Sequence, residues 1–237
     1  MKGDGVPDIP IFVRGLEDGR EVLRARLAQG IAPRRQVRDA GFKPVALRTA
    51  TLVHDGVELT FEVARMHAAH HRLAGVARAA GPVDLVRQRL AAYAVVTSER
   101  GVLLTQLSRE TGRPGLWILP GGGVEAGEAP DAAAAREVWE EAGQRISDAR
   151  LWDVSSSHRV GDGREGTVED FHAVRLIYSA RCDEPSEPTV HDVGGSTQHA
   201  AWFAAADVVD PTSDGYPSGG MAPWALESVR QVLGQAG

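Results

Sequence analysis

The sequence predicts an α/β fold, a mixed sheet with helices on its faces, preceded by a small α+β domain. Three observations predict it. Paired apolar runs with alternating polar positions flank turn residues, as in PVALRTATLVHDGVELTFEVAR and YAVVTSERGVLLTQLS. A glycine-rich turn at residues 121–123 leads into a helical segment with four consecutive alanines, and further strand candidates follow it. Charge also changes sign along the chain: residues 1–90 hold 15 Lys+Arg against 10 Asp+Glu, the remainder 11 against 22, so the two parts stand near +5 and −11.

Taken in order, residues 9–13 (IPIFV) read as a short strand. Residues 16–31 read as a helix on the spacing of Val22, Leu23, Leu27 and Ile31. The alternating stretch around His54-Asp55-Gly56 reads as a hairpin with Asp-Gly at its turn. Residues 66–91 read as helical, broken near Gly81-Pro82. These elements define an N-terminal α+β domain over residues 1–90. A second domain, residues 91–237, opens with a strand pair around Glu99-Arg100-Gly101, followed by a strand at Trp117-Ile118-Leu119 and a helix from Pro130 to Ala142. Strand candidates follow at 151–157, 167–181 and 200–203, and residues 223–233 form a closing helix. Two polar loops, EPSEPTVHDVGGSTQ and DPTSDGYPSGG, are placed where substrate selection usually resides.

Composition bounds the function. With 237 residues, 43% of them hydrophobic, the chain can bury a sizeable core. It has no apolar run of about 18 residues and no cationic, apolar leader, so a cytoplasmic protein without a membrane partner is expected. The single cysteine, Cys182, excludes an internal disulfide and reads as a small apolar residue at a strand end. The basic residues are scattered among acids, with Arg34 and Arg35 the one adjacent arginine pair, so nucleic acid is not an expected partner. The basic N-terminal part suits an anionic substrate or a partner subunit, and a homodimer is compatible with it.

The chemistry is concentrated in GGGVEAGEAPDAAAAREVWEEAG, residues 121–143. Glu137, Glu140 and Glu141 stand at i, i+3 and i+4, so three carboxylates share one helix face with Cβ atoms roughly 5–6 Å apart. Like charges at that spacing repel, and a hard divalent cation, Mg²⁺ or Mn²⁺, is the natural counter-charge. Arg136, four residues before Glu140, can orient a carboxylate. Ala133, Ala134, Val138 and Ala142 supply a small apolar face for close packing on a sheet. Gly121, Gly122 and Gly123 let backbone atoms approach a metal or phosphate.

Gly122, Glu128, Arg136, Glu137, Val138, Glu140, Glu141 and Gly143 together resemble the Nudix box, the defining motif of the Nudix hydrolase family. One position departs from it: Gln144 stands where the family places an apolar residue, with Ile146 two positions on as a substitute for packing. The resemblance covers the box specifically and residues 92–237 more loosely. It implies a Nudix α/β/α sandwich and metal-dependent attack of water on a nucleoside diphosphate linked to another moiety: a nucleoside triphosphate, a nucleotide sugar or a dinucleotide. It further implies that Glu137, Glu140, Glu141 and the Gly121 carbonyl ligate Mg²⁺ or Mn²⁺, that Arg136 holds Glu137, and that Glu128 supports the loop. Glu140 or Glu141 is expected to be the general base, with Glu165, Glu169, Asp170 and Glu187 as further acids. The partner implied is a small diphosphate substrate.

Weaker signals point to Gly122, Arg159 and Arg164 as substrate contacts, the two arginines lying in the loop reading SSSHRVGDGRE. His67, His70 and His71 read as a helix surface more readily than as a zinc site, and Trp117 and Trp202 as core. The alternative function is a Nudix-like nucleotide-sensing regulator without hydrolysis. The intact glutamates and the lack of an evident helix-turn-helix weigh against it.

Overall fold

The computed structural model describes residues 9–66, 82–163 and 166–235. The chain divides into two compact units, Met1–Ala91 with Gly123–Pro130 and Asp153–Leu176, and Ala92–Gly122 with Asp131–Trp152 and Ile177–Gly237.

In the first unit, β1 (Ile11–Glu17), β2 (Arg20–Arg26), β3 (Phe42–Val53) and β4 (Gly56–Arg65) form a four-stranded sheet in the order β2-β1-β4-β3, and α1 (Pro33–Asp39) joins β2 to β3. β1 runs parallel to β4, while the β1–β2 and β3–β4 pairs are antiparallel. Ile11 and Val13 from β1 meet Val57, Leu59 and Phe61 from β4 in a core with no solvent exposure. Each such side chain contributes about 1.5–3 kcal/mol by burial. Residues 16–31 are not a helix. Asp18 and Gly19 take positive φ, 49° and 75°, and turn the chain from β1 into β2. An Asp-Gly pair suits the two-residue turn whose twist matches a hairpin, and this preference outweighs the helical spacing of the apolar residues. Leu27 is buried just past β2, where its amide donates to the Ile11 carbonyl at 2.7 Å.

The β3–β4 hairpin forms as expected, with His54 and Asp55 filling the turn and Gly56 opening β4. α1 lies where the sequence reading places no helix; Pro33 at its first turn and the buried Val37 are its signals. Of the helical stretch expected over 66–91, residues 67–81, with His67, His70 and His71, lie outside the described residues, and 85–91 are strand.

The second sheet has the order β11-β6-β5-β10-β9, built from β5 (Leu85–Ser98), β6 (Gly101–Leu107), β9 (Ser147–Asp162), β10 (Val168–Arg181) and β11 (Thr197–Phe203). Short β7 (Trp117–Ile118) pairs with β6, and β8 (Gly121–Gly123) pairs with β5. β5, β9 and β10 supply residues to both units. β6 is antiparallel to β5 and β11, whereas the Asp84 amide bonds the Val168 carbonyl and the Cys182 amide bonds the Thr97 carbonyl, so β5 and β10 run in the same direction. The sheet is therefore mixed, as the sequence predicts. In the second unit the core gathers Val95, Leu104, Leu119, Ile177, Ala225 and Val229. α2 (Pro130–Ala142) and α4 (Pro223–Gly234) match their expected positions, and α3 (Ala205–Val209) is an unanticipated short helix. No helix among the described residues is long and apolar enough to cross a membrane.

Candidate active site

α2 presents two faces of opposite character. Ala133, Ala134, Val138 and Ala142 are wholly buried, the small apolar stripe that the sequence predicts. Removing that stripe from water fixes the helix's rotation, which in turn sets where Glu137, Glu140 and Glu141 emerge. The C-terminal end of the helix is fastened by the following loops. Gly143, with φ 66°, ends the helix; the Thr189 amide donates to the Ala142 carbonyl at 3.0 Å; the amides of His191 and Asp192 donate to the Glu140 carbonyl at 2.8 and 3.1 Å. These bonds satisfy carbonyls that a helix terminus leaves open.

The carboxylates differ sharply in environment. Arg136 Nη1 donates to Glu137 Oε1 at 3.0 Å and to Glu140 Oε2 at 3.1 Å, so one guanidinium holds two acids. The Glu140 side chain is 42% exposed and that of Glu137 only 14%, which leaves Glu140 as the acid open to water. Glu141 is buried. Its Oε2 accepts from the Gly121 amide at 2.9 Å and its Oε1 from the Thr197 hydroxyl at 2.5 Å. Burial raises its pKa to about 7; the Thr197 and Gly121 bonds oppose the rise, and the neighbouring Glu137 charge adds to it.

The glycine turn explains its own composition. Gly121 has φ 149°, and a Cβ there would lie 2.4 Å from the Ala92 carbonyl oxygen. A Cβ on Gly122 would lie 2.5 Å from Glu137 Oε1. Two consecutive glycines thus let Glu141 bond one residue of the turn and Glu137 lie directly against the next. In the first unit, Glu128 Oε2 accepts from the Glu125 amide at 3.0 Å, closing the loop that follows the turn.

These donors are chemically suited to a hard divalent cation: three carboxylates and a backbone carbonyl, with no thiolate or imidazole. Glu137 and Glu141 crowd like charge at one place, which a cation would relieve. Among the described residues no three acid, His or Cys side chains converge on one point. Glu141 is turned to Gly121 and Thr197, and Glu140 to Arg136.

The weaker candidates fare unevenly. Arg159 lies on strand β9 rather than in a loop; it donates to Glu169 Oε2 at 2.6 Å and to the Asp162 carbonyl at 3.2 Å, with its guanidinium 5.3 Å from the Phe171 ring centre. Arg164 and Glu165 lie outside the described residues. Glu169 and Asp170 are committed to Arg159 and to Gln29 with His158, and Glu187 to Arg100. Trp117 is core, its Nε1 donating to the Ser218 carbonyl, whereas Trp139 is half exposed beneath the Arg145 guanidinium. Cys182 is buried, and burial pushes its thiol pKa up, as suits a packing residue.

Sequence reasoning missed one residue and misplaced the role of another. Thr197 reaches Glu141 from 56 residues away, through a strand whose register no local pattern sets. Gln144, the departure from the box, is itself fully buried and does not leave its place to the half-buried Ile146. Its Nε2 donates to the Ala142 carbonyl and the Ser186 hydroxyl, both at 3.0 Å, and its Oε1 accepts from the Ser186 amide at 3.0 Å.

Comparison with known proteins places the chain in a family. The NUDIX domain family model matches residues 87–225. Nucleoside triphosphatase NudI of Enterobacter sp. (strain 638) is 31% identical over 121 residues, covering 48% of this chain and 86% of that protein. NudI of Salmonella schwarzengrund (strain CVM19633) is 31% identical over 133 residues, covering 48% of this chain and 94% of that protein. Among solved structures, a MutT NUDIX hydrolase from Burkholderia pseudomallei is 26% identical, covers 62% of this chain and 98% of that one, and has a TM-score of 0.46. The chain belongs to the NUDIX family. It is a Nudix-type pyrophosphohydrolase, an enzyme of phosphoanhydride hydrolysis on nucleoside-diphosphate-linked compounds.

Proposed function

We propose that the chain uses Mg²⁺ or Mn²⁺ to cleave the diphosphate linkage of a nucleoside triphosphate, a nucleotide sugar or a dinucleotide, with nucleoside triphosphates the first class to test. The observation that supports this reading best is the pairing of acids with the glycine turn: Glu141 bonds the Gly121 amide, and Glu137 lies where a side chain on Gly122 would be. The relatives named nucleoside triphosphatase favour the triphosphate class.

Glu137, Glu140, Glu141 and the Gly121 carbonyl would hold the ion, which when bound neutralises charge on the bridging and leaving oxygens. The chain's own groups do the rest. Arg136 fixes Glu137 and Glu140 relative to each other, Glu128 keeps the loop closed, and Gly122 keeps the backbone open to the substrate. Glu140, the exposed acid, takes a proton from water as the water oxygen forms a bond to phosphorus. The P–O bond of the anhydride breaks, and the leaving phosphate or nucleotide departs with the electron pair. We place residues 1–90 as an N-terminal domain that shapes the substrate pocket or builds a homodimer; residues 1–86 lie outside the family match. A cytoplasmic location accords with this chemistry.

The test is release of phosphate or nucleotide from a panel of triphosphates, nucleotide sugars and dinucleotides with Mg²⁺ or Mn²⁺, comparing the native protein with Glu137→Gln and Glu140→Gln. Metal-dependent turnover that falls by about 10²-fold or more in both variants is expected. Turnover that persists in chelator, or that both variants retain, would overturn the assignment.

A further inference from the structure

Thr197 opens β11, and the strand is irregular at that point. Thr197 stands opposite Leu107 and His199 opposite Gln106, so two steps along β11 match one step along β6, and Gln198 is the extra residue of a β-bulge. Residues three apart in a regular strand face opposite sides of the sheet. The bulge removes that offset: Thr197 comes to the side that Ala200 shares with Thr105 across the pair, and all three are buried, while Gln198 and His199 are exposed. Just ahead of Thr197 the chain is fastened to the end of β6. The Ser108 amide donates to the Ser196 carbonyl and the Ser108 hydroxyl to the Gly195 carbonyl, both at 2.8 Å.

The side chain that the bulge redirects ends on Glu141. The Thr197 hydroxyl donates to Glu141 Oε1 at 2.5 Å and the Gly121 amide donates to Oε2 at 2.9 Å, so each carboxylate oxygen has one protein donor. A carboxylate oxygen carries two lone pairs, which leaves one pair on each. Glu141 is 4% exposed, so these donors and not solvent set the orientation of its carboxylate. Packing alone does not call for a hydroxyl at residue 197: valine has nearly the shape of threonine and needs no partner in a buried place. Bulges beside active sites re-aim side chains, and the hydrogen-bond partners of metal-ligating groups govern metal affinity. We propose that Thr197 is a positioning residue for Glu141, a role resting on the metal-dependent reading above: its hydroxyl and the Gly121 amide fix the carboxylate so that the remaining lone pairs serve a divalent cation.

Mn²⁺ binding to the full chain without substrate, read from the loss of the free-ion EPR signal, tests this in Thr197→Ser, Thr197→Val and Thr197→Ala. Serine keeps the hydroxyl at smaller volume, valine keeps the volume without the hydroxyl, and alanine has neither. Thr197→Val and Thr197→Ala should each bind Mn²⁺ about 10-fold more weakly than the native protein, and Thr197→Ser within about 3-fold of it. Thermal melting of the same samples checks that each is folded and should rank Thr197→Val above Thr197→Ala, because it follows buried volume. Affinity that sorts by hydroxyl while stability sorts by size is a pattern that a packing role does not produce. Alanine differs from serine by the hydroxyl alone, so that pair decides the matter if valine does not fold. Native affinity in a folded Thr197→Val or Thr197→Ala, or a Thr197→Ser as weak as either, would overturn the proposal and leave the metal reading standing. A native protein that binds no Mn²⁺ would overturn the metal reading and this role with it.

Discussion

At the scale of single residues, the site depends on atoms that are not there. Gly122 has no positive φ requirement, so alanine could adopt its backbone, yet the added carbon would stand 2.5 Å from Glu137 Oε1. Glu137 would have to move while still bonded to Arg136. Gly122→Ala should therefore lower kcat by about 10²-fold, as small displacements of reacting groups do, while changing Tm by only a few degrees. A kinetic and thermal comparison checks it, and a variant with native kcat would show that the close approach has no catalytic consequence. The Glu140 and Glu141 pair makes a related point. Adjacent in sequence and identical in type, one is 42% exposed and bonded to arginine while the other is buried against Gly121 and Thr197. Only the fold separates their roles.

At the scale of elements, α2 is fixed along its length by four buried apolar residues and at its end by hydrogen bonds. Gln144 is the hub of that end. It is buried, with amide nitrogen and oxygen both used, and it ties the residue after the helix cap to Ser186. Gln144→Ala leaves a cavity and takes the acceptor from the Ser186 amide, and should cost about 2 kcal/mol in denaturant titration. Gln144→Leu restores volume but not the acceptor, so it should remain clearly destabilised. A leucine variant of native stability would show the amide to be dispensable. α2 was legible in the sequence from Pro130 to Ala142 because its pattern is local: proline at the start, alanines on one face, glycine at the end. The β1–β2 hairpin was not, because an Asp-Gly turn competed with an i, i+3, i+4 apolar pattern and won.

At the scale of the whole molecule, stability should depend on pH through His172. The side chain is wholly buried, and its Nδ1 accepts from the Gly30 amide at 3.2 Å. Burial lowers its pKa to about 4, helped by the neighbouring His158 and opposed by Asp170. A histidine held neutral in the folded state gains its proton on unfolding, so its contribution is complete above pH 6.5 and is lost as pH falls from there toward 4. Tm should fall by about 3–6 °C from pH 7 to 5 on this account, and His172→Gln should flatten that part of the curve. Parallel curves for the two proteins would sink the assignment. The sequence offered no sign of this residue, since its partners Gly30 and Gln88 lie in distant segments that only the tertiary fold assembles. The glutamates, by contrast, were readable because one helix carries all of their spacing. What placed them against the glycine turn required strand registers that the sequence pattern does not encode.

The carbonyl of Glu140 accepts from the amides of both His191 and Asp192. Those residues belong to one of the long polar segments, so a stretch suited to changing substrate preference is also a brace for an acid of the site. Grafting a relative's segment between residues 184 and 196 is therefore not a free exchange of recognition surface. A graft that presents two amides at this carbonyl can alter which molecule is accepted and keep the reaction; one that does not will lose turnover first, whatever new contacts it brings.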